Sequence, residues 1–220
     1  MSRACGICGF PSPPVFRAPP PELAPDLDLR PGEPTRSTLS QWVSTCAGCG
    51  AVAPDLSTLG PAAAETVHGA AYRAVAGPPD AAVPFRRWAM LCPPGERGEA
   101  FLQAAWAADD AGAEKPARAL RREAATAWGE PASIESALRV IDVLRRAGDF
   151  AAAQARVASL ETTPMDENSA RLVAFQRARI ASGDTGRHLI SSALRPPAHR
   201  PHVSHGRSEA KSFWARVMGR

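Results

Sequence analysis

ALRVIDVLRRAGDFAAAQARVASL, running from Ala137 to Leu160, is the stretch that decides the fold class. Ala137, Val140, Ile141, Leu144 and Ala147 recur at steps of three and four residues, while Arg139, Asp142, Arg145 and Arg146 fall on the other face. A helix of 3.6 residues per turn brings such positions onto one side, so the pattern predicts an amphipathic helix. Gly148 then offers a left-handed stop, and Asp149 is expected to cap a following helix that carries Phe150, Ala153, Val157 and Leu160.

Similar units lie on either side. Phe101, Leu102, Ala105 and Trp106 precede Gly112, after which Pro116 is placed to open a helix through Ala117, Leu120 and Ala124. Leu172, Phe175 and Ile180 precede Gly183 and Asp184, and Leu189, Ile190 and Leu194 follow. The turn glycines are 36 and 35 residues apart. A period near ~34 marks tetratricopeptide-like repeats, and Ala105, Ala117, Ala124 and Ala153 sit where such helices need small residues to pack closely. A plain helical bundle is the alternative. Further helices are expected over 62–75 and 81–91, with Tyr72 and Trp88 in the core.

Ahead of the helices stand two cysteine pairs of one shape, Cys5-Gly-Ile-Cys8-Gly9 and Cys46-Ala-Gly-Cys49-Gly50. A C-x2-C turn lets two thiolates share one cation, and the glycine after it accepts the backbone angles of such a knuckle. Two knuckles complete a tetrahedron. Soft sulfur ligands favour zinc or iron over calcium or magnesium, and a closed set of four predicts a structural Zn2+ at Cys5, Cys8, Cys46 and Cys49. Closing the 37 residues between Cys8 and Cys46 costs about 3 kcal/mol of loop entropy. A structural zinc contributes about 10–16 kcal/mol in peptides, so the metal outweighs that cost. Iron held in rubredoxin-like knuckles, two disulfides within the knuckles and a redox-active C-x2-C are the competing readings, although the βαβ context of the last is missing. Trp42 and Val43 lead into the second knuckle and Ala51 and Val52 lead out, as strands of a ribbon would, with Phe10 and Phe16 expected in a miniature core.

The chain has 220 residues and 22 prolines, nine of them within the first 34 positions, where loops and extended segments are expected. The division read from this is a zinc ribbon with a proline-rich insertion over 1–60, a helical domain over 61–194 and a flexible basic tail over 195–220. No long apolar run or secretory pattern occurs, which makes a cytoplasmic protein the expectation. Arginine outnumbers lysine 24 to 2, as in GC-rich bacterial genomes. The net charge is +4, yet the segment from Gly186 to Arg220 alone carries +6, leaving the ribbon and helices slightly acidic.

The paired knuckles followed by helices that begin Phe101-Leu-Gln-Ala-Ala-Trp106 resemble a family of uncharacterised bacterial proteins, over about residues 5 to 194. In that family a cysteine zinc ribbon precedes tetratricopeptide-like helices. The resemblance implies a metal site at Cys5, Cys8, Cys46 and Cys49 and carries no activity with it. This chain departs from the family in having Gly6 and Ala47 where proline is common, and Ala51 where an aromatic is usual.

Other candidate sites read as structural. His199, His202 and His205 lie in a proline-containing tail, Asp109 and Asp110 read as a solvated helix end, and Cys92 has no recognisable base beside it. The segment from Lys211 to Arg220 mixes Phe213, Trp214, Val217 and Met218 with basic residues, so it is a candidate for weak docking on a groove or an anionic membrane surface. With no nucleophile, base and orienting group in combination, an enzyme is not expected. The expected role is a noncatalytic zinc-binding scaffold for a protein partner. A nucleic-acid-binding zinc ribbon is the alternative, disfavoured because residues 1–60 carry more acid than base.

Overall fold

The computed structural model describes residues 3–194; the basic tail, its three histidines and the Lys211 to Arg220 segment lie outside the described residues. A two-stranded antiparallel sheet, β1 (Ser44–Thr45) and β2 (Val52–Ala53), pairs Ser44 with Ala53 and Thr45 with Val52. Then come α1 (Ala63–His68), α2 (Ala70–Arg73), α3 (Val83–Ala89), α4 (Arg97–Asp110), α5 (Glu114–Trp128), α6 (Ile134–Ala147), α7 (Phe150–Glu161), α8 (Glu167–Ala181) and the short α9 (Ile190–Leu194). The chain is mainly helical with one small sheet. None of the described helices is long and apolar enough to cross a membrane.

From α4 to α8 each helix packs on the next, α4 against α5 most extensively, and α6 also meets α8. Ala105, Ala117, Ala124 and Ala153 are all buried, and their small side chains let the helices approach. Tyr72 and Trp88 are core residues. Gly112, Gly148 and Gly183 all adopt positive φ, 68°, 82° and 65°, which ends each preceding helix with a turn that other residues adopt only under strain. Ser133 caps α6 through a reciprocal pair with Ser136, and Asp166 caps α8 through the N–H groups of Asn168 and Ser169.

Three local expectations change. Asp149 does not cap α7; its carboxylate takes Arg122 Nε at 3.0 Å instead. After Gly183 the chain does not run straight into a second helix of that unit. Arg145 donates to the carbonyls of Asp184 (2.5 Å) and Gly186 (2.8 Å), and Leu189 pairs in a short antiparallel bridge with Asp26. Backbone groups engaged in tertiary bonds cannot also serve a helix, so only five residues of α9 form. Finally, the charged side of α6 does not face water: Asp142, Arg145 and Arg146 are 1%, 0% and 8% exposed.

What covers that side is the proline-rich segment between the knuckles. Residues 26–30 make a tight turn, with Asp26 N–H donating to Arg30 O at 2.9 Å and Leu29 at φ 66°. Asp28, fully buried, accepts from Arg146 Nη1 (2.7 Å) and Trp106 Nε1 (2.9 Å), and Arg121 lies 3.9 Å away. Arg139 donates to its backbone carbonyl at 2.8 Å. Asp109 joins the same cluster, accepting from Arg121 (2.5 Å) and Arg146 (2.7 Å), while Asp110 takes Arg30 at 2.5 Å. The expected solvated helix end holds for Asp110, which stays exposed, whereas Asp109 is part of an ion-pair hub because arginines on α5 and α6 converge on it.

Burial pushes the Asp28 carboxyl up, but Arg146, Arg121 and the Trp106 N–H outweigh it and hold the group below the usual carboxylate range. A depressed native pKa means stability that is present above the unfolded value and lost as pH falls through the folded one. Asp28→Asn should therefore flatten the stability profile below about pH 4. Asp28→Ala should lower the unfolding free energy by about 3–5 kcal/mol, since it leaves buried arginines unpaired. Denaturant melts across that pH range check both, and Glu161→Ala, which removes only an exposed pair with Arg177, should leave the midpoint nearly unchanged.

Candidate metal centre

Each cysteine pair folds on itself in the same way. In the first knuckle Cys5 N–H donates to Phe10 O (2.9 Å) and Gly9 N–H to Cys5 O (2.8 Å). In the second, Cys46 N–H donates to Ala51 O (2.8 Å) and Gly50 N–H to Cys46 O (2.9 Å). Gly9 and Gly50 sit at φ 71° and 77°, so the glycine that closes each C-x2-C-G turn is required by the left-handed backbone there. The second knuckle rides on the β1–β2 hairpin, and the first is pinned by an antiparallel bridge between Ala4 and Pro11.

The two turns face each other. The sulfur atoms of Cys5, Cys8, Cys46 and Cys49 all lie within 4.8 Å of one another, with Cys5 to Cys49 at 3.9 Å and Cys8 to Cys46 at 3.6 Å. A tetrahedral ion with sulfur ligands at ~2.3 Å places its ligands ~3.8 Å apart. A disulfide would require ~2.05 Å. The cluster is therefore able to hold one metal ion, and it brings together all four cysteines that the spacing singled out.

The site is embedded on one side and open on the other. Cys5 and Cys46 are buried, Cys49 is partly so, and Cys8 faces solvent. Beneath it Val52, Ala53, Leu56 and Leu59 continue without a break into Tyr72, Phe85 and Trp88 and on to the apolar side of α4. The Tyr72 hydroxyl donates to Gly50 O at 3.2 Å, tying the second knuckle to α2. Phe10 differs from expectation: it leans over Gly48 and remains 45% exposed, since the knuckle is too shallow to enclose a ring.

Electrostatics separates the thiols. Burial disfavours ionisation of Cys46, but the N–H groups of Cys49 and Gly48 aimed at its sulfur bring it down to about 7. Burial pushes Cys49 up to about 12, and the neighbouring sulfurs add to the effect. A divalent cation reverses this balance, because its charge favours all four thiolates at once.

Cys92 stands apart from the cluster. It is buried behind a surface cavity of about 700 Å³, and burial pushes its thiol up, the reverse of what a nucleophile needs. Comparison with protein families, with curated proteins and with solved structures finds no match for this chain. Of the expected likeness, the structure shows four clustered cysteines and a mainly helical architecture.

Since each ligand must shed its proton, metal affinity is expected to fall as pH is lowered, measurable by chelator competition. A methyl group on Gly6 would lie 1.9 Å from Leu59 O, whereas one on Gly60 meets nothing within 4 Å. Gly6→Ala should therefore reduce metal occupancy and Gly60→Ala should not, as read by metal content per chain.

Proposed function

We propose that this protein is a noncatalytic scaffold in which a structural zinc staples a four-cysteine ribbon to a tetratricopeptide-like helical array that binds another protein. The observation that carries the reading is the set of four thiols at tetrahedral spacing, built on the core that also supports the helices. A closed four-sulfur set leaves no position for a substrate, which favours structure over catalysis. Stacked helices create extended surfaces for partners. A groove of about 450 Å³ between α5, α6 and α7, lined by Arg122, Ala125, Val140, Leu144 and Ala152, supplies a candidate contact surface.

Mass spectrometry of protein purified without added metal should find about one zinc per chain, lost in Cys46→Ala together with protection of the amino-terminal half from proteolysis. Iron in place of zinc would redirect the reading to electron transfer, and free thiols without metal would end it. Ala152 is exposed in the groove, so Ala152→Arg should block it while leaving the melting temperature nearly unchanged. A co-purifying partner that survives this substitution would not be using that surface.

A further inference from the structure

The covered face of the helical array is built like a receptor for a carboxylate. Trp106 of α4, Arg121 of α5 and Arg139 and Arg146 of α6 converge on a single aspartate of a non-helical segment, Asp28. Arginine donors from separate helices closing on one side-chain carboxylate and its neighbouring carbonyl is how acidic motifs are gripped. Arg121 and Arg146 are 2% and 8% exposed, yet the Nε of each has no hydrogen-bond partner among the described residues. Buried donors are normally satisfied, so Asp28 and Asp109 together leave part of the donor set of these two guanidinium groups unused.

The occupant is tethered at both ends to the metal site. Asp28 lies near the middle of the 37 residues that separate Cys8 from Cys46, and a metal ion shared by the two knuckles fixes both ends of that strap. Tethering raises the effective concentration of the segment at the face. Leu29, next to the buried carboxylate, is held at φ 66° with its side chain 45% exposed. That conformation is unfavourable for a leucine, so docking works against local backbone preference at this residue, and the tether adds to the contacts that Leu27 and Arg30 make with His188 O and Asp110.

We propose that the Trp106, Arg121, Arg139 and Arg146 face is a binding site for a peptide that presents an aspartate on a tight turn, occupied in cis by Asp28 while the four-cysteine centre holds its metal and opened to such a turn in trans when the metal is lost. The proposal rests on the metal-site reading above. Coupling of this kind is reciprocal: whatever factor metal contributes to strap docking, docking contributes to metal affinity.

The test uses the full chain, metal-loaded and chelator-stripped, with a fluorescent peptide of the sequence Pro25 to Gly32 as probe. Stripping should raise amide exchange across residues 25–31 and increase peptide affinity about 5- to 150-fold, the usual range of allosteric coupling. A probe carrying Asp28→Asn should lose the gain, as should stripped protein bearing Arg146→Ala whose circular dichroism remains helical. In the metal-loaded state Asp28→Asn protein should release its metal faster by a comparable factor. Protein that holds metal but keeps strap protection after stripping would overturn the latch alone. A released strap with no peptide binding would overturn the peptide site. Protein that never holds metal would remove both this inference and the zinc reading.

Discussion

A carboxylate with no access to water, surrounded by two guanidinium groups and an indole N–H, is the constraint on which the rest of the molecule depends. An isolated charge in the interior is very costly, so Asp28 can be buried only if Arg121, Arg146 and Trp106 arrive together. Those partners belong to three different helices. Apolar packing of α4, α5 and α6 brings these groups together, and their convergence determines where the proline-rich segment must lie. The same arginines need more than one anion, and Asp109, at the end of α4, supplies the second. The hub is thus a network in which each charge is compensated by neighbours from other elements.

The cysteine centre acts on the same segment from outside. A two-stranded sheet of two residues per strand cannot enclose a core of its own. Its apolar residues instead extend the core of α3 and α4, and the four thiols secure the knuckles where that core ends. Between the knuckles runs a strap whose ends lie at the four clustered cysteines and whose centre is held by charge. The cysteine knuckles and the helices are joined through this strap as well as through apolar packing.

The cysteine cluster was legible because its signal is local. A C-x2-C-G turn carries its own hydrogen bonds, and nothing distant is needed to form it; Gly9 and Gly50 take the positive φ the motif demands. The helices from Arg97 to Ala181 were legible for the same reason, since periodicity and turn glycines act within a few residues. The charged side of α6 was not. Arg145 and Arg146 have the spacing of a solvated face, and only the arrival of Asp28, Asp109 and the carbonyls of Asp184 and Gly186 converts that face into an interior. Asp109 misled in the same way, while Asp110 stays exposed as expected, and the capping role of Asp149 gave way to Arg122.

By itself the sequence determined that this chain has four paired cysteines suited to one metal ion and a succession of amphipathic helices separated by left-handed glycine turns. Both follow from backbone geometry over short spans. Tertiary structure alone decided which polar residues are interior, where the proline-rich segment goes, and why the unit after Gly183 stops short of a full helix. The physical reason is that hydrophobic periodicity reports only which side of a helix avoids water. A charged side carries no mark in the sequence that distinguishes solvent from a buried counter-charge contributed by residues a hundred positions away, as Asp28 is to Arg146.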